Sequence, residues 1–294
     1  MGDYPEILDQ LDLGPPVEIA SVGGGCIAQA GVATFDDGTR VFVKRAAGDP
    51  KMFRCEADGL RELAKADALR VPKVIAVSDQ ALVLEYIESG QHEPEFFSNF
   101  GRRFAKMHQT RSRACGFAAD NFIGSTPQLN EPLDGSWESA ENHEGSEWTD
   151  FFVTRRLRYQ VELAEQNGHG FELSRLLDQG EATILEILEP NCESPSLLHG
   201  DLWGGNFMAD EQGRACLIDP AVYYGHREAD LAMTRLFGGF DASFYSAYEE
   251  AWPLESEWQE RLQIYQLYHL LNHLNLFGSA YYSRSKQVLE RYAR

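Results

Sequence analysis

The chain has 294 residues, with 26 basic against 46 acidic side chains and a formal net charge of −20. Hydrophobic residues make up 43% and charged residues 24%, the balance of a chain that buries a core rather than a disordered one. Such acidity excludes general nucleic-acid binding, which needs a basic footprint, and docking on anionic membranes.

The five cysteines (Cys26, Cys55, Cys115, Cys192 and Cys216) are odd in number and form no C-x-x-C pair, so neither a disulfide framework nor a zinc site is indicated. The opening MGDYPEILDQLDLG carries acids where a secretory leader needs a basic and then an apolar run, and Glu6 breaks the myristoylation pattern. No apolar stretch approaches the roughly 20 residues of a membrane span. The expectation is a cytoplasmic protein.

Residues 1–12 read as a short helix. Residues 17–45 read as strands, with Asp37-Gly38 as the hairpin turn between two β-rich runs. Residues 50–67 place Phe53, Leu60, Leu63 and Ala64 at helical spacing, with Pro50 suited to the helix start. Residues 71–77 and 81–87 read as two further strands. The first 87 residues are thus β-rich with one helix. After Glu88 the pattern turns helical, beginning with the amphipathic stretch 93–111. Residues 130–150 hold seven acids and no Lys or Arg, the composition of a solvated loop or flap. Helices are predicted over 149–166, 171–189, 242–251, 255–277 and 284–293. The strand-like runs LLHGDL and ACLIDP frame a loop-rich segment between them.

Five local features follow one another in an order that carries chemistry. Gly23-Gly24-Gly25 lies between two strand-like runs, where glycine lets backbone amides approach a phosphate; a tight hairpin is the alternative. Lys44 ends the apolar strand VFVK, and Glu56 follows 12 residues later on the next helix. A buried lysine needs a partner, and a strand lysine held by a helix glutamate is the arrangement that grips phosphates in phosphotransferases. Glu62, on the same helix, is a second candidate partner. Asp201 and Asn206, in HGDLWGGN, are five residues apart, the spacing of a phosphotransfer loop. There Asp201 can accept a hydroxyl proton and Asn206 can offer a carbonyl oxygen to Mg²⁺. Asp219, in CLIDP, follows 18 residues after Asp201 and can join the same cation. His199 is read as orienting the loop, and Asp230 as tying down its amides. Asn272 and His273 are read as satisfied buried polar groups.

These segments resemble the fructosamine kinases, or ketosamine-3-kinases, within the aminoglycoside-phosphotransferase-like kinase fold. The resemblance runs almost end to end through GGGCI, GFAADNFIGSTPQLN, HGDLWGGN, DPAVYYGHREADLAMTRLFGGF and YQLYHLLNHLNLFG. Many family members have Ser at the position of Gly205. The Trp203 step and the LNHLNLFG helix separate the chain from aminoglycoside and choline kinases. It departs from the family where Asn130 is separated from Trp148 by an acidic stretch containing Trp137.

The resemblance implies an α+β, two-lobed, protein-kinase-like fold. A small antiparallel N-lobe sheet with one main helix would occupy residues 1–87, and a larger, mostly helical C-lobe residues 88–294. It further implies ATP-dependent phosphorylation, with Mg²⁺, of the 3-hydroxyl of a ribulosamine or fructosamine. The acceptor would be a small-molecule ketosamine or a glycated protein lysine, and the unstable product would shed its sugar. Adenine would meet Glu85, Tyr86 and Ile87. Trp203 would face the sugar, with packing of its own loop as the alternative. Cys26 is a candidate oxidisable thiol or simply a small residue that fits. The chain would act as a monomer or dimer. Two other readings stay open: an aminoglycoside or amino-sugar phosphotransferase, and a nucleotide-binding pseudokinase.

Overall fold

The computed structural model describes residues 6–22, 29–45, 48–133, 147–189 and 193–293. A 3₁₀ turn, Glu6–Leu11, lays Ile7 and Leu8 on an antiparallel sheet. Five strands form that sheet: β1 (Glu18–Val22), β2 (Gln29–Thr34), β3 (Arg40–Arg45), β4 (Val74–Val77) and β5 (Ala81–Glu85), in the order β1-β2-β3-β5-β4. The expected hairpin joins β2 to β3. Asp37 Oδ1 accepts the Thr39 amide at 2.8 Å, and Gly38 takes the left-handed φ of +84° that the turn requires. The fourth strand starts later than predicted, because Pro72 cannot donate to a ladder.

Helix α1 (Met52–Lys65) lies between β3 and β4 in sequence. Phe53, Ala57, Leu60 and Leu63 recur at helical spacing and are buried. Ala64 falls in the last turn and stays exposed. Helix α2 (Phe96–His108) follows, after the hinge region 86–95. A short hairpin of β6 (Asn121–Ile123) and β7 (Thr126–Gln128) comes next. The predicted 149–166 helix runs longer: α3 (Glu147–Phe151), π-type turns Phe152–Arg158, α4 (Tyr159–Ala164) and further π-type turns Glu165–His169. Helix α5 (Glu172–Leu188) packs against the chain end.

The loop-rich segment holds four three-residue strands, β8 (Ser196–Leu198), β9 (Phe207–Ala209), β10 (Ala215–Leu217) and β11 (Tyr223–Gly225), paired β10 with β9 and β11 with β8. Helices α6 (Glu228–Leu236), α7 (Ala242–Ala251), α8 (Trp258–Phe277) and α9 (Tyr282–Tyr292) complete the chain. Asp241 caps α7, accepting the Ser243 amide at 2.8 Å and the Phe244 amide at 3.3 Å.

The architecture is therefore an N-terminal antiparallel sheet followed by a helical body. One apolar cluster joins them: Phe53, Leu60 and Leu63 of α1 share a core with Phe100 and Phe104 of α2 and with Leu197, Leu202 and Leu217 around the loop segment. A second cluster, built mostly from helices, centres on Trp148, Phe152, Tyr265 and Tyr268 and takes in Ile123, Leu198 and Tyr223 from the short strands. Among the described residues no helix is long and apolar enough to cross a membrane.

Candidate active site

The site forms where the sheet meets the helical body. Lys44, near the end of β3, is 13% exposed and reaches Glu56 of α1, Nζ to Oε1 2.6 Å. It also pairs with Asp219 Oδ1. Glu62 is turned elsewhere, accepting from the Tyr224 hydroxyl at 2.9 Å, so Glu56 is the lysine's partner. Burial would lower the Lys44 pKa, but the charges of Glu56 and Asp219 outweigh it and hold the ammonium well above its ordinary value. Burial pushes Glu56 up and Lys44 pulls it back. The lysine is thus a fixed cation, anchored on one side by the helix and on the other by the segment after β10.

The catalytic-loop candidate 199–206 is held from below. Asp230, buried on α6, accepts the amides of His199 at 2.7 Å and Gly200 at 2.8 Å. His108 Nε2 lies 3.2 Å from the same carboxylate, and Tyr248 Oη 2.8 Å from His108 Nδ1. The predicted role of Asp230 holds; His108 and Tyr248 had no local sequence signal. Burial lowers the His199 pKa. The neutral ring then carries its proton on Nε2, which donates to the Ile218 carbonyl at 3.0 Å, while Nδ1 accepts the Asp201 amide at 3.3 Å. His199 therefore stitches the loop to the segment after β10 that carries Asp219. Gly200 has φ +81°, and a Cβ there would lie 1.9 Å from the Ala221 carbonyl oxygen, so no other residue fits.

Asp201, Asn206 and Asp219 converge on this frame. Asn206 Nδ2 donates to the Asp201 carbonyl at 2.8 Å and to Asp201 Oδ2 at 3.2 Å. Asp219 has φ +54°, a left-handed backbone that costs on the order of 1–3 kcal/mol and persists only where its surroundings impose it. Its side chain is 47% exposed. Burial, and secondarily the charge of Asp219, raise the Asp201 pKa well above the ordinary carboxylate range. The donor set suits Mg²⁺: one amide oxygen and one carboxylate, both hard oxygen ligands, leaving other positions to phosphate and water. Among the described residues no group of three His, Cys, Asp or Glu side chains could hold a metal alone.

The other predicted residues divide. Trp203 is 40% exposed beside Asp201, with its ring edge against Gly205 and at 6.5 Å, edge-on, from Phe237. Glu85 has its carboxylate on Arg70 and its amide donating to Lys73 at 2.8 Å. The backbone groups of Tyr86 and Ile87 bond to no described backbone group; Ile87 is buried and Tyr86 lies under the Arg40 guanidinium at 4.4 Å. Gly23, Gly24, Gly25 and Cys26 lie outside the described residues. Asn272 is satisfied, accepting from Gln160 at 3.4 Å. His273 is not: its Nδ1 is buried without a partner among the described residues, because its ring is packed among Phe237, Phe277 and Tyr281.

Similar sequences and folds occur in other proteins. The chloroplast protein-ribulosamine 3-kinase of Arabidopsis thaliana is 38% identical over 291 residues, spanning 94% of this chain and 83% of that one. A crystal structure from Thermobifida fusca, assigned as a fructosamine-3-kinase, superposes with a TM-score of 0.82 at 30% identity, covering 99% of both chains. An ADP-bound aminoglycoside phosphotransferase shares the fold alone, with a TM-score of 0.63 at 13% identity, over 98% of this chain and 97% of that one. The fold is therefore of the aminoglycoside-phosphotransferase and protein-kinase-like class, as expected. The fructosamine kinase family model matches residues 12–294, and the chain belongs to the fructosamine kinase family.

Proposed function

We propose that this ATP-dependent phosphotransferase moves the γ-phosphoryl group of ATP to the 3-hydroxyl of a ketosamine, a ribulosamine or fructosamine borne on a small amine or a protein lysine. The observation that carries the reading is the convergence of Lys44, Asp219, Asn206 and Asp201. It provides a cation, two hard oxygen ligands and a base within one hydrogen-bonded frame. The substrate class is supported by family membership and by the naming of the Arabidopsis relative. The lobe boundary is taken at residues 87/88, where the chain passes from sheet to helical body.

In this mechanism Lys44, held by Glu56, binds the α- and β-phosphates. The hinge at Glu85–Ile87 offers adenine its backbone, chiefly at Tyr86 and Ile87. Gly23, Gly24 and Gly25 would offer backbone amides to the phosphates. Asn206 and Asp219 would hold Mg²⁺, which would supply charge neutralisation at the transferring phosphate. Asp201 orients the acceptor hydroxyl and takes its proton; a carboxyl whose pKa is raised is a stronger base for that task. Trp203 offers its exposed ring face to the sugar's C–H surface. Catalysis is then positioning and electrostatic stabilisation.

The test is Mg²⁺-dependent ATP consumption against ribulose-lysine, fructose-lysine, kanamycin and no acceptor, with Asp201→Asn as the blank. Turnover on a ketosamine that vanishes in the variant is the expected result. Turnover on kanamycin alone would transfer the protein to the antibiotic kinases. ATP binding without turnover on any acceptor would favour a nucleotide-binding role.

A further inference from the structure

Arg70 lies in the connection between α1 and β4 and is one of the points at which the two lobes meet. Its Nη2 donates to Glu85 Oε1 at the end of β5, at 2.9 Å. Its Nη1 donates to Asp210 Oδ2 at 3.1 Å and to both Glu211 oxygens at 2.8 Å, in the turn between β9 and β10. The Asp210 side chain is fully buried and receives a second arginine, Arg214, at 3.0 Å. Arg70's own carbonyl accepts the Leu217 amide at 2.9 Å, two residues before Asp219.

The same turn holds the far end of the hinge. The Gly90 amide donates to the Ala209 carbonyl at 3.1 Å, and the Glu93 amide to the Gly213 carbonyl at 3.0 Å. The hinge 86–89 is therefore a chord fixed at both ends. One end is Glu85, on Arg70; the other is 90–93, on the turn that Arg70 grips. The support continues through β10 to Asp219.

We propose that Arg70 is a positioning residue for nucleotide use: it fixes the separation between the adenine-facing backbone and the phosphate-facing Asp219. The proposal rests on the nucleotide site described under Proposed function. ATP is gripped at two ends, and its affinity exceeds that of either end alone only while the two grips are held at the right distance. Without the guanidinium, Glu85, Asp210 and Glu211 lose their shared cation, and Arg214 still pairs with Asp210. Lysine is no substitute, since one ammonium cannot span the fork.

The experiment compares wild type with Arg70→Met and Glu211→Gln, measuring KM for ATP, KM for the ketosamine and the inhibition constant of adenosine. For Arg70→Met the ATP KM should rise about tenfold, a loss of about 1.4 kcal/mol. The ketosamine KM and the adenosine constant should each stay within about twofold, because adenosine uses only one of the two grips. Glu211 is 40% exposed, so Glu211→Gln keeps the core intact and serves if Arg70→Met does not fold. It should raise the ATP KM about two- to threefold through one weakened ion pair. An unchanged ATP KM in folded Arg70→Met, or in Glu211→Gln where Arg70→Met does not fold, overturns the proposal. So does a rise matched by the adenosine constant, which would place Arg70 in the adenine pocket alone. If the wild type phosphorylates no ketosamine, the function reading fails while ATP dissociation constants of the same proteins still decide the role of Arg70. A wild type that binds no ATP overturns both.

Discussion

Asn206 directs its side-chain amide nitrogen at Asp201, 2.8 Å from that residue's carbonyl and 3.2 Å from its Oδ2. That orientation turns the amide oxygen away from the base, so one side chain can both brace Asp201 and offer an oxygen to Mg²⁺. Asn206→Ala removes both functions. The Mg²⁺ concentration for half-maximal turnover should rise at least about tenfold, the usual scale when a metal site loses an ordering contact or ligand. A magnesium titration of turnover checks this. An unchanged midpoint would remove Asn206 from the metal site.

Replacing Asp201 separates its chemistry from its cost. Asp201→Asn should lower kcat by about 10²–10⁴, the range for a positioned general base, and leave the KM for ATP near its wild-type value. The same change should stabilise the metal-free protein at pH 7. Burial, followed by the charge of Asp219, raises the Asp201 pKa in the folded chain. The folded state thus holds a proton that the unfolded chain releases, and this stabilisation is complete at low pH and lost as pH rises through the raised value. At neutral pH the carboxylate is a burden that an uncharged amide lifts. Thermal unfolding in chelator-treated buffer decides it: a variant Tm at or below wild type would contradict the argument.

Much of the site was legible in the sequence because its chemistry demands particular residue types at fixed local spacings. Lys44, Glu56, Asp201, Asn206 and Asp219 fall where spacing places them, and geometry chose Glu56 over Glu62. The parts that escaped depend on tertiary burial. Helix α6 carries no amphipathic stripe, since of its nine residues all but Arg235 are buried, and a helix wrapped on every side has no periodic signal. The strands β6 and β7 are three residues each, too short for alternation to register. His108 and Arg70 act on residues 122 and 140 positions away, a distance no local pattern encodes.

Gly205 sets the attitude of Trp203. A Cβ at position 205 would lie 2.4 Å from Trp203 Cη2 and 2.5 Å from Cζ2, closer than any packed carbon tolerates, so a side chain there forces the indole to swing. Gly205→Ser should therefore change the KM for the acceptor and leave that for ATP unaltered. The change in tryptophan environment should be visible as a shift in emission relative to a Trp203→Phe background. Equal acceptor KM values for wild type and Gly205→Ser, with the emission shifted, would show that the indole packs on its own loop and does not meet the sugar.

The histidines of α8 predict how the fold fails in acid. Burial pushes the His273 pKa down to about 4, and burial followed by the neighbouring His273 pushes His269 down to about 3. Both rings are neutral in the folded protein, whereas the unfolded chain protonates them near pH 6.5. The unfolded state therefore binds more protons between pH 6.5 and about 4, and stability rises with pH across that window. Each ring contributes a slope of about 1.4 kcal/mol per pH unit there, complete above pH 6.5 and lost as the pH falls. His273→Phe removes one titration and suits the surrounding Phe237, Phe277 and Tyr281. It also eliminates the unpartnered Nδ1, so the variant should match or exceed wild-type stability at pH 6.5. Urea unfolding at pH 6.5, 5.5 and 4.5 should show its stability falling less steeply, by about 1.4 kcal/mol per unit. Parallel slopes for the two proteins would mean that His273 takes up its proton while folded, and that the acid sensitivity lies with His269 and the other buried rings, His108, His199 and His226.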